Sequence, residues 1–146
     1  MASPDDITTA DNLGRRRARM LPVVAMIFLI QQMSFFSNPP GVRLVDHVRI
    51  GAWVMLTAAI LMILNSKTFW FRTPAVRAAL DDERTRANRA SAMHWGFVAI
   101  TIAAMIVYAT LGVTNFTARE SIHLIVSGGI VTALLRFGIL ERRDYA

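Results

Sequence analysis

Glu120-Ser121-Ile122-His123 is the stretch whose residue types and spacing best suit chemistry. A glutamate and a histidine three apart share one helical face, and the pair is half of the carboxylate-bridged dimetal pattern of helical bundles. The other half has to recur on a second helix, and no other Glu-x-x-His occurs in the sequence. His47, with Asp46 beside it, is the second imidazole expected near the same surface. His47, Glu120 and His123 are therefore the candidate ligands for Zn²⁺ or Cu²⁺. A plainer reading competes and is preferred: helix dipoles attract a glutamate to a first turn, and polar residues gather where loops meet water. A bis-imidazole haem needs two histidines at one depth. His94 belongs at the opposite end of its helix, which leaves only His47 with His123. No metal, haem or other cofactor is expected. Cysteine is absent, so thiolate metal sites and thiol–disulfide chemistry are excluded.

Gln31, Gln32 and Ser34 are the other polar groups in an apolar setting. Amides in a membrane span mostly hydrogen-bond to a neighbouring helix, and a substrate path is the alternative. Proton relays and transporters normally carry ionisable groups inside their spans, and no acid falls mid-span here. The two halves of the chain also show no similarity of the inverted-repeat kind. An enzyme is not expected, and a small transporter or metal-binding protein ranks below the readings that follow.

The elements that would position these residues are helices in a bilayer. With 146 residues the chain makes one domain at most. Its composition, 54% hydrophobic and 18% charged, is too oily for a soluble domain of this size, and the charges are clumped between long uncharged runs. Residues 1–19 read as a disordered, basic N-terminal tail ending in Arg15, Arg16, Arg17 and Arg19. A first span over about 20–37 follows, with Pro22 in its first turn. Basic-then-apolar text also fits a secretory signal, but no A-x-A-like site follows, so an uncleaved span is expected. Further spans are expected over about 49–66, 92–112 and 121–140, and residues 141–146 read as a C-terminal tail. Small residues at packing spacing (Ala92 and Gly96, Ala99 and Ala103, Gly128-Gly129) suit close helix contacts. Internal packing is the favoured use, with a homo-oligomer as the alternative.

Between the second and third spans lies the charged segment 65–91. Thr73-Pro74 reads as a helix start. The acids Asp81-Asp82-Glu83 read as a second start, with Asp82 and Arg86 as an i,i+4 pair. A helix from Asp82 to Leu111 would be about 45 Å long, against a hydrocarbon core of about 30 Å, so the third helix should project from the membrane. Arg15, Arg16, Arg17 and Arg19, the six bases of 65–91, and Arg136, Arg142 and Arg143 fall on one side; only Arg43, Arg49 and Arg119 fall on the other. The positive-inside rule then makes both termini and segment 65–91 cytoplasmic. This asymmetry accounts for the net charge of +6 without direct nucleic-acid binding.

In Asp81-Asp82-Glu83, Thr85, Asn88 and Arg89 the chain resembles small bacterial four-helix inner-membrane proteins that share a DDE-x-T-x-x-N-R text running into a span. The likeness covers residues 75–96. In size and layout such proteins are similar to membrane partners of small helix-turn-helix regulators, which implies a membrane-held inhibitor or sensor. The expectation is thus an all-α integral protein of a bacterial inner membrane. It would bind a cytosolic protein through Asp81, Asp82, Glu83, Arg84, Arg86, Asn88 and Arg89. The alternative is an accessory subunit of a larger respiratory or photosynthetic complex, using lipid-facing surfaces toward a neighbouring membrane subunit.

Overall fold

The computed structural model describes residues 4–37, 44–65 and 82–144, and the regular structure among them is helical. Four helices follow in order: α1 (Pro4–Ser37), α2 (Leu44–Asn65), α3 (Glu83–Thr110) and α4 (Ala118–Asp144). Three stretches, His47–Asn65 of α2 and all of α3 and α4, are long and apolar enough to cross a membrane. The helix start expected at Thr73-Pro74 lies outside the described residues, as does Asp81.

The helix boundaries follow local chemistry. Asp82 caps α3, its carboxylate accepting the Thr85 amide N–H at 2.8 Å. This satisfies one of the otherwise unpaired first-turn donors. α3 ends where Thr110 accepts the amides of Val113 and Thr114, both at 2.9 Å, ahead of the short connection to α4. At the start of α4, Thr117 and Glu120 form a capping box. The Glu120 carboxylate accepts the Thr117 amide at 2.8 Å, and Thr117 Oγ1 accepts the Glu120 amide at 3.3 Å.

Two expectations about the ends of the chain are corrected. Residues 4–19 are not a disordered tail: α1 begins at Pro4 and runs unbroken for 34 residues. Pro4 suits a first helical position, and Asp5 and Asp6 beside it suit the positive end of the dipole. Ala10, Gly14 and Ala18 give this segment a buried stripe at four-residue spacing. As a result Pro22 sits well inside the helix rather than in its first turn. A proline there lacks the N–H that would meet the carbonyl four residues back. The C-terminal segment is likewise no separate tail, since α4 continues to Asp144 and Glu141 is almost wholly buried.

α4 is the central helix. It packs along α3 and α1 for most of its length, whereas α2 meets α4 and α3 at only a few positions. The core joins Leu21, Ala25 and Phe28 of α1, Ile60 and Leu64 of α2, Ala92 of α3, and Ile130, Ala133, Leu134 and Phe137 of α4. Close approach of α3 to α4 depends on glycine. A Cβ on Gly96 would stand 3.0 Å from Ala133 Cβ and 3.1 Å from the Gly129 carbonyl oxygen. One on Gly129 would run into the Ile100 side chain at Cγ1 and Cδ1. Ala92, Gly96 and Gly129 thus pack inside the bundle, whereas Gly128 has open space around it. Gly138, which the sequence reading passed over, leaves room for the Pro22 ring, whose Cδ would lie 3.1 Å from an added Cβ.

Candidate functional site

Polar side chains collect at both ends of this bundle, and the two groups are built differently. At the end where α1 begins, Arg17 reaches α4 and α3 together. Its Nε donates to Glu141 Oε2 at 2.9 Å, and Nη2 donates both to that oxygen and to Thr85 Oγ1, the latter at 3.2 Å. Asn88 Nδ2 donates to Glu141 Oε1 at 3.4 Å and to Asp144 Oδ2 at 2.6 Å. The guanidinium also lies over the Phe137 ring, 5.5 Å from its centroid. The Glu141 side chain is 1% exposed and that of Arg17 12%, so this is a buried ion pair with its remaining oxygen also bonded. Burying two charges is expensive unless geometry and further hydrogen bonds offset desolvation, and this arrangement supplies both.

That network divides the charged segment read from the sequence. Thr85 is buried and bonded to Arg17, Asn88 is half-buried and bonded to Glu141, and Arg89 is half-buried. Asp82 serves as the cap, and Glu83, Arg84 and Arg86 are exposed. From sequence alone Arg17 reads only as one of the bases that set topology, and Glu141 only as part of the C-terminal tail. The signal was faint: Thr85 and Asn88 lie three apart on one face, and Glu141 is an acid just inside a basic terminus.

At the opposite end the contacts are between rings. His123 is 5% exposed, its imidazole stacked with Phe35 (centroids 3.9 Å apart, planes at 10°) and with Trp53 (4.4 Å, 29°). A cleft of about 200 Å³ beside them is lined by Gln31, Phe35, Arg49, Ala52, Trp53 and His123. Trp53 Nε1 is buried there without a hydrogen-bond partner. Deeper in, Gln32 is buried between α1 and α4. Its Nε2 donates to the Phe28 carbonyl at 3.1 Å, and its Oε1 accepts from Ser127 Oγ at 3.1 Å. Gln32 is therefore an interhelical tie, and Gln31 is a wall of the cleft.

The Glu-x-x-His pair is split by this geometry. Glu120 is engaged with Thr117 in the capping box, and His123 is held in the ring stack. His47 is exposed on α2. Among the described residues no three of His, Asp and Glu gather closely enough to hold a metal ion. The side chain of Asp46 lies outside the described set. Arg136, counted among the cytoplasmic-side bases, is half-buried with its guanidinium 6.0 Å from the centroid of the Trp95 ring. The chain matches no protein family, no curated protein and no solved structure.

Proposed function

We propose that this chain is a non-enzymatic, multi-pass protein of a bacterial inner membrane that binds a partner protein through the first turns of α3. All four helices span, both termini are cytoplasmic, and α3 projects on that side. The observation that carries the reading is the two-faced start of α3. Thr85 and Asn88 are tied inward to Glu141, Arg17 and Asp144, while Glu83, Arg84 and Arg86 are exposed. A mixed-charge face fixed from its inner side by hydrogen bonds loses little freedom when a partner docks, and that lowers the cost of association. The partner is a cytosolic protein with complementary charges, for instance a small transcription regulator held at the membrane. Large apolar residues exposed on α2 and α3, among them Met55, Met62, Phe97 and Met105, face lipid in this arrangement.

Reporter fusions at Pro40 and Asn115 test the topology and should be active only where the reporter works outside the cytoplasm. A cytoplasmic signal at either position would overturn it. Docking is tested with the full-length tagged protein and its Glu83→Lys and Arg86→Glu variants. Asp82 is avoided because removing its cap costs about 1 kcal/mol by itself. Reversing an exposed charge changes stability little, whereas a like charge at an interface costs several kcal/mol. Both variants should insert normally and lose the co-purifying partner; recovery of the same partners from all three proteins sinks the proposal.

A second reading, an accessory subunit of a larger membrane complex, is favoured by the sparse packing of α2. Among the described side chains of α2 only Thr57, Ile60 and Leu64 are buried. Co-purification of an intact membrane complex, unaffected by Glu83→Lys and Arg86→Glu but lost on altering the outer face of α2, would favour it.

A further inference from the structure

The described residues of the ring-lined cleft offer hydrogen-bond donors. Arg49 supplies a guanidinium, Gln31 an amide, and Trp53 an indole N–H that is buried without a hydrogen-bond partner. A buried donor left unmet is costly, so an acceptor brought to it is favoured. No carboxylate is among the described residues that line the space, and its other walls are Phe35, Ala52 and the His123 ring. At about 200 Å³ the cleft lies below the usual range for a drug-sized molecule but has room for a compact oxyanion and a few carbons.

We propose that this cleft between α1, α2 and α4 is a binding site for an anionic amphiphile. Its phosphate or carboxylate oxygens accept from Arg49, Trp53 Nε1 and Gln31, and its apolar part lies against Phe35 and Ala52. Charged acceptors shared by a guanidinium and neutral donors make the stronger kind of hydrogen bond. Aromatic side chains with a polar edge also suit the depth where a bilayer turns from headgroup to hydrocarbon. The chemistry is common to a phospholipid headgroup and to a free short-chain acid. It is independent of the docking face on α3, so failure of the pull-down leaves it standing.

Fluorescence of the intact protein in non-ionic detergent tests the site. Trp70→Phe and Trp95→Phe leave Trp53 as the only remaining tryptophan of the three. The probes are dihexanoyl phosphatidylglycerol for the lipid source, hexanoate for the free acid, and dihexanoylglycerol as the neutral control. A saturable change in Trp53 emission is expected with an oxyanion probe and not with the neutral lipid; the probe that saturates identifies the source. Arg49→Gln should weaken binding roughly tenfold or more. Ala52→Phe, which keeps every donor but fills the cleft, should abolish it, and it decides the matter if Arg49→Gln fails to fold. The proposal is overturned if neither oxyanion saturates, if dihexanoylglycerol binds as tightly, or if Ala52→Phe binds within about twofold of the parent.

Discussion

The two ends of the bundle hold their helices together by different physics. At one end a buried guanidinium and carboxylate, with Thr85, Asn88 and Asp144 around them, join α1, α3 and α4. At the other, three rings from α1, α2 and α4 stack beside an open cleft. Charged groups removed from water tolerate no gap, because each unmet donor or acceptor carries its full desolvation cost. Ring pairs prefer particular offset or edge-on geometries, but their faces carry no charge that must be matched, so a space next to them is tolerated. The charge-knotted end is thus suited to fixing a surface, and the ring end to admitting a small molecule.

The largest expected effect breaks the charged end. Glu141→Leu leaves the Arg17 guanidinium buried without its carboxylate, which should cost about 3–5 kcal/mol. The double variant Arg17→Leu/Glu141→Leu, which removes both charges, should recover most of that loss. Thermal unfolding in detergent measures both. A Glu141→Leu protein as stable as wild type would mean that the ion pair does not secure this end.

A smaller effect sharpens the comparison by testing the region between the ends. Gly129→Ala drives a methyl into Ile100 and close to the Gly96 carbonyl, and overpacking of this kind costs about 1–3 kcal/mol. Gly128→Ala meets nothing within 4 Å and should be neutral or stabilising by up to about 1 kcal/mol through helix propensity. The same unfolding assay reads both. Equal losses from the two neighbours would show that α3 and α4 do not meet at Gly129.

What was legible in the sequence follows the length scale of the signal. Asp82 and its acidic neighbours mark the start of α3 because capping is a local, one-turn interaction. The small residues Ala92, Gly96 and Gly129 were readable as packing positions for the same reason. Thr117-Ala118-Arg119-Glu120 carries a capping box just as local, and reading Glu120 with His123 instead obscured it. The Arg17–Glu141 pair spans 124 positions in sequence, and nothing near either residue marks the other. The ring stack was illegible in the same way. Phe35, Trp53 and His123 lie on three helices, and each alone resembles an ordinary interfacial residue.

The smallest expected effect is at His123, and it separates the two kinds of end most sharply. If this end is held by rings, the imidazole matters as a flat face. His123→Phe should then change stability by less than about 1 kcal/mol, because both stacks survive. His123→Ala removes both, at about 0.5–1.5 kcal/mol for each aromatic pair. A charged knot behaves otherwise, since Glu141→Gln keeps the shape but not the charge and should still destabilise. Unfolding of the four proteins side by side gives the answer. Should His123→Phe cost as much as Glu141→Leu, the imidazole nitrogens rather than the ring face would be what this end depends on. The contrast between a charge-built and a ring-built end would then be lost. A loss of that size together with about one Zn or Cu per chain by elemental analysis in wild type, absent from His123→Phe, would return His123 to the role of a metal ligand.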